Sequence, residues 1–137
     1  MYKIIDGYPE MVKEIGKQKY PCQFTLTGYD IENIVVAALE GGVGYWAILD
    51  NTTSDWTNKP RGLPVSQYAT QLLLEEKPMR FIDVGNEMGR LELTLRKFLN
   101  GMEQYMQYGA SKDINDVDAV AADMIFQYAL FGEVVYA

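Results

Sequence analysis

The chain has no histidine in 137 residues, which removes the usual general base near neutral pH, the commonest metal ligand and every His-containing catalytic triad. Hydrolytic and zinc chemistry are disfavoured, so no catalytic residue, metal ligand or cofactor is expected. Cys22 is the only cysteine, so no disulfide can close within the chain. It sits in a strand-like run, where a small buried thiol is the natural reading. No apolar run approaches the roughly 20 residues that cross a bilayer. The start, Met1-Tyr2-Lys3-Ile4-Ile5-Asp6, lacks the apolar stretch and small-residue cleavage site of a signal peptide. A soluble cytoplasmic protein is the expectation. Basic residues are also in short supply: 12 Lys and Arg face 19 Asp and Glu, for a net charge of −7. That balance disfavours direct nucleic-acid binding and permits a basic partner, although acidity also serves solubility.

The length fits one domain with a single core. Residues 6–19 hold helix formers interrupted by Pro9 and Gly16, so residues 1–20 read as an N-terminal helical segment. Cys22 to Thr27 then alternates like a strand closed by Gly28. Asp30 is a plausible N-cap for a helix with Ile31, Ile34, Val35, Ala38 and Leu39 on one face, and Gly41 is its natural left-handed terminator. Tyr45 to Leu49 reads as a short strand, followed by a long loop over residues 50–64. A helix over Val65–Glu76 stopped by Pro78, a strand from Met79 to Val84, a turn over Gly85–Gly89 and a return strand from Arg90 to Leu93 come next. Thr94 can cap a helix whose stripe is Leu95, Phe98, Leu99, Met102, Tyr105 and Met106, ended by Gly109. The last helix starts near Asp116 with Val117, Val120, Ala121, Met124, Ile125, Tyr128 and Phe131 on one face, and Gly132 ends it. The order predicts an α+β fold: one domain over residues 1–137, with a small, largely antiparallel sheet covered by four or five helices.

Several motifs fail on context. Gly42, Gly44 and Ala47 have dinucleotide-fingerprint spacing but follow a helix and open a strand, the reverse of what that site needs. Asp113, Asn115, Asp116, Asp118 and Asp123 look like a calcium loop, yet Val117 takes a ligand position and the glycine and closing Glu are out of place. Helix capping and dipole compensation account for these acids better. Asn51-Thr52-Thr53 matches a glycosylation acceptor that a cytoplasmic chain would not use. Carboxylates such as Asp50 and Asp83 have no spacing that pairs them for catalysis.

What remains is a glycine-aromatic patch: Gly41, Gly42, Gly44, Tyr45 and Trp46, joined by Trp56, Lys59 and Arg61 from the long loop. Glycines there can adopt positive φ and bare their amides, aromatic rings can stack on a base, and Lys59 and Arg61 can meet phosphate. The competing reading is mechanical: a glycine C-cap followed by aromatics that favour a strand. Arg80 and Arg90 are further anion candidates, or simply solvated surface arginines.

From about Ile31 onward the chain resembles a family of small, acidic, uncharacterised proteins encoded by phages and mobile elements of Firmicutes. The resembling pieces are Ala38-Leu39-Glu40-Gly41-Gly42 with Tyr45-Trp46, Pro64-Val65-Ser66-Gln67-Tyr68-Ala69, Phe81-Ile82-Asp83, Leu93-Thr94-Leu95, Lys97-Phe98-Leu99-Asn100-Gly101, and residues 127–135. The resemblance implies a genetic setting in the host bacterial cytoplasm but no activity and no site residues. Accessory phage proteins of this size often antagonise host defence. The leading expectation is therefore a nonenzymatic anti-defence protein that sequesters a nucleotide-derived immune signal at the glycine-aromatic patch. The alternative is an acidic inhibitor that blocks a defence protein such as a CRISPR nuclease. A third is a structural or regulatory phage protein, with Val134-Val135-Tyr136 helping to form a homo-oligomer.

Overall fold

The computed structural model describes residues 2–3, 14–15, 26–86, 88–108 and 117–137. Two short strands, β1 (Tyr2–Lys3) and β2 (Glu14–Ile15), pair antiparallel. They fall in the stretch read from sequence as helical; its remaining residues, Cys22 to Thr25, Gly109 and residues 113–116 lie outside the described ones.

Helix α1 (Gly28–Ala37) starts one residue after Thr27, not at Asp30. Asp30 N–H donates to Thr27 Oγ1 at 3.0 Å and Thr27 N–H donates to Asp30 Oδ2 at 2.9 Å, a reciprocal cap that satisfies two orphan amides. Gly28 thus opens a helix where a strand end was expected. Gly41 does not terminate it either. The chain widens into a π turn over Ala38–Gly42, closed when Val43 N–H donates to the Ala38 carbonyl at 2.9 Å, and the positive-φ glycines of the described chain are Gly62 and Gly132. The reason for glycine here is space: a Cβ on Gly42 would stand 2.7 Å from the Ala119 carbonyl oxygen.

Strand β3 (Ala47–Leu49) pairs antiparallel with β4 (Met79–Asp83), which pairs antiparallel with β5 (Gly89–Leu93). Helix α2 (Val65–Leu74) lies between β3 and β4 in sequence. It ends in a Schellman turn, with Lys77 N–H donating to the Leu72 carbonyl and Glu76 N–H to that of Leu73. Glu76 therefore takes φ 63°, and the stop comes before Pro78. Helix α3 (Leu95–Tyr108) begins after Thr94, whose Oγ1 accepts from Lys97 N–H, and buries all six residues of its expected stripe.

Helix α4 (Ala119–Phe131) starts after Asp118, which caps the Ala121 amide, and ends at Gly132 with φ 76°. Its buried face corrects the expected one: Ala121, Ala122, Asp123, Ile125, Phe126 and Gln127 are buried, while Val120 is 70% exposed. The helix is sandwiched between α3, the π turn and the sheet, so an apolar count along one stripe could not locate its inner side. Phe126 joins the layers, meeting Phe81 of β4 at 6.0 Å and Phe98 of α3 at 6.3 Å, both edge-on. The result is a single α+β domain of four helices and a three-stranded antiparallel sheet. The inner sheet face, with Ala47, Met79, Phe81, Asp83 and Leu93, is buried. No helix among the described residues is long and apolar enough to cross a membrane.

A Cβ on Gly101 would sit 2.6 Å from the Ile125 carbonyl and 2.7 Å from the Ala129 Cβ, so Gly101→Ala forces α3 and α4 apart. The expected loss is about 1–3 kcal/mol in denaturant unfolding. Gly44→Ala, with open space at its Cα, serves as the neutral control. Glu76→Gly relieves the left-handed backbone and should raise stability by roughly 1 kcal/mol.

Candidate functional site

The π turn delivers Gly42 against the first turn of α4, and the chain then reverses through residues 43–46 into β3. This reversal sends neighbouring aromatics in opposite directions. Tyr45 is 54% exposed, whereas Trp46 is 1% exposed and stacks on Tyr136 at 5.2 Å with Phe131 at 5.4 Å. Trp46 thus lies in the interior, and its ring partners among the described residues come from the end of α4 and the segment after it.

The polar edges of both aromatics converge on one carboxylate. Asp123 is buried, and its Oδ1 accepts from Trp46 Nε1 at 2.8 Å and from Gln127 Nε2 at 2.9 Å; its Oδ2 accepts from the Tyr45 hydroxyl at 2.6 Å. No cation of the described residues takes part, and three donors replace the water lost on burial. Gln127, one helical turn on and fully buried, completes the arrangement. Its Oε1 accepts from the Val135 and Tyr136 amides, each at 2.7 Å, and its Nε2 also donates to the Tyr136 carbonyl at 3.1 Å. Only one amide orientation fits, because the reverse would set an NH2 against two N–H groups. Tyr136 carries the network to the sheet, its hydroxyl donating to buried Asp83 Oδ1 at 2.8 Å. Its ring lies over Gly85, where a Cβ would come within 2.6 Å.

Of the residues singled out from sequence, Gly41, Gly42, Gly44, Tyr45 and Trp46 are contiguous, but they face different ways. Gly41 and Gly44 are exposed; Gly42 and Trp46 are buried. The loop residues have other partners. Trp56 packs edge-on against Tyr68 at 5.2 Å, Lys59 reaches the Pro60 carbonyl at 3.4 Å, and Arg61 is exposed. The anion candidates hold carboxylates: Arg80 lies 3.5 Å from Glu92 and 3.8 Å from Asp55, and Arg90 lies 3.8 Å from Asp50. Asp123, Gln127, Asp83 and Tyr136 went unrecognised as one unit. A signal existed for the first two: Asp123 and Gln127 are polar residues at i and i+4 inside an otherwise apolar helix, and so share a face.

Withdrawal of its hydroxyl from water, and then the hydrogen bond to Asp123, push the Tyr45 phenol up to about 12. The bond to Asp83 raises that of Tyr136 as well. Both phenols therefore stay protonated and donating at neutral pH. Asp50 is held below the usual carboxylate range, first by the Thr52 hydroxyl and amide. Among the described residues no group of three or more acidic or thiol side chains is placed to hold a metal ion.

Gln127→Ala strands two amides of the tail and one Asp123 contact, so unfolding should lose about 1–3 kcal/mol. Trp46→Ala should lose about 3–5 kcal/mol, and loss of binding in that variant could not be assigned to a ligand contact. A phenol raised in the folded state stabilises the fold below its unfolded value of 10, and that contribution drains away as pH rises towards about 12. Urea midpoints should fall across this window in the parent and fall less in Tyr45→Phe/Tyr136→Phe; an equal fall would dismiss the linkage.

No family model, curated protein or solved structure matches the chain.

Proposed function

We propose that the protein is a nonenzymatic antagonist of bacterial defence, carried by phages or mobile elements, that docks an acidic side onto the basic groove of a defence protein such as a CRISPR nuclease. One observation carries the reading. Residues 20–58 and 113–137 contain no Lys, Arg or His, and the helices they supply, α1 and α4, pack together around the π turn. Exposed Glu40 lies on the π turn, and exposed Asp118 and Glu133 flank α4. The cations of the described residues fall on other elements: Lys3 on β1, Lys59, Arg61 and Lys77 in loops, Arg80 and Arg90 on the three-stranded sheet, Arg96 and Lys97 on α3. Charge of one sign on one side steers association with an oppositely charged groove and weakens with salt. The resemblance to phage and mobile-element proteins supports the defence setting.

A second reading, capture of a nucleotide-derived signal, draws on the exposed Tyr45 ring beside the unobstructed Gly44. A base could stack there, although Trp46 is not available to form the other wall of a sandwich.

Glu40→Lys/Glu133→Lys should weaken binding to a CRISPR nuclease at least roughly tenfold and relieve its inhibition, while Tyr45→Ala leaves both unchanged. The parent complex should weaken from low to physiological salt. A salt-insensitive complex, or none with any nuclease tried, rejects the acidic-side reading. A nucleotide-sized mass retained by the parent in native mass spectrometry and lost in Tyr45→Ala would install the second reading.

A further inference from the structure

Among the described residues β5 has no strand on its outer side, and that edge carries an inference independent of the proposed function. Asp50 N–H donates to the Arg80 carbonyl at 2.8 Å and Val84 N–H to that of Trp46 at 2.9 Å, so residues 80, 82 and 84 turn their backbone groups towards β3. Peptide direction alternates along a strand, and Met79, Phe81 and Asp83 therefore turn theirs to β5, opposite Leu93, Leu91 and Gly89. Those three residues of β5 are committed to β4. Arg90 and Glu92 must point their backbone groups outward. Lys97 Nζ marks that side, donating to the Glu92 carbonyl at 2.9 Å. The Arg90 and Glu92 amides have no acceptor among the described residues.

Unpaired edge amides next to exposed side chains form a template for another strand. The side chains specify which one. Arg90 and Glu92 are 79% and 50% exposed and flank Leu91. We propose that β5 pairs antiparallel with β5 of a second copy, about a two-fold axis at Leu91, to form one continuous sheet across the dimer. In this register each Arg90 faces the other copy's Glu92, both with outward backbone groups, so opposite charges and hydrogen bonds coincide. Centring the axis on Arg90 would oppose two guanidiniums. Centring it on Glu92 would oppose two carboxylates. The self-complementary Arg-Leu-Glu run therefore selects one register and favours a second copy over an unrelated peptide. Arg90's amide takes the place of the partner copy's Lys97 amine on the Glu92 carbonyl, and the loose ion pairs of Arg90 and Glu92 with Asp50 and Arg80 can be shared across the junction.

The test is sedimentation equilibrium of the full chain over a concentration series, with circular dichroism to check the fold. The parent should dimerise reversibly. Glu92→Pro removes an outward donor and the Glu92 carboxylate but no backbone bond to β4, so the β4 ladder should survive while the dimer is lost. Arg90→Glu and Glu92→Arg should each raise the dissociation constant at least roughly tenfold, and the double swap should restore it to within about threefold. A monomeric parent, a dimer that persists in folded Glu92→Pro, or a double swap no tighter than the singles would overturn the proposal. Should Glu92→Pro fail to fold, the charge swap decides alone.

Discussion

The buried pair Asp123 and Gln127 ties together three parts of the chain that sequence keeps far apart. Asp123 gathers the aromatic reversal before β3; Gln127 gathers the segment after α4. Through Tyr136 the same chain of contacts reaches Asp83 at the end of β4. A carboxylate is costly to bury unless donors surround it, so each member depends on the others being in place. The pair therefore does more than hold α4 down: it fixes which way Trp46 turns, and with it the closing of the core at that end of the sheet.

This arrangement also separates structural from available surface. Trp46, which attracts notice as a stacking residue, is consumed by the interior, while Tyr45 keeps its ring outside and only its hydroxyl inside. The side built from α1, the π turn and α4 is left with exposed acids and no cations of its own. The sheet holds Arg80 and Arg90 in local ion pairs. Charge is thus sorted by element, and whatever the protein binds will meet one side or the other.

The fold was legible where periodicity and local chemistry agree. The stripe of α3 and the Thr94 cap follow directly from spacing, because a helix lying on one neighbour buries one face. The hairpin of β4 and β5 was legible for the same reason. Legibility failed where one residue type answers two physical needs. The glycine pair at 41 and 42 can supply either a left-handed terminator, expected at Gly41, or a close helix contact, found at Gly42, and only the position of α4, set by distant residues, decides between them. Trp46 poses the same ambiguity between core and site. The buried face of α4 was hidden because neighbours on several sides make its apolar residues nearly continuous, leaving its two polar ones as the better guide. The role of Tyr136 had no local signal, since its partners are Gln127, Trp46 and Asp83.

Helix α4 meets glycine gaps at two levels, Gly42 beside Ala119 and Asp123, and Gly101 beside Ile125 and Ala129. The two levels are about 9 Å apart along the axis. A shaft keyed at two points can neither slide by a turn nor rotate without driving backbone into backbone. A deformation imposed by a partner therefore moves α4 together with α3 and the π turn rather than past them.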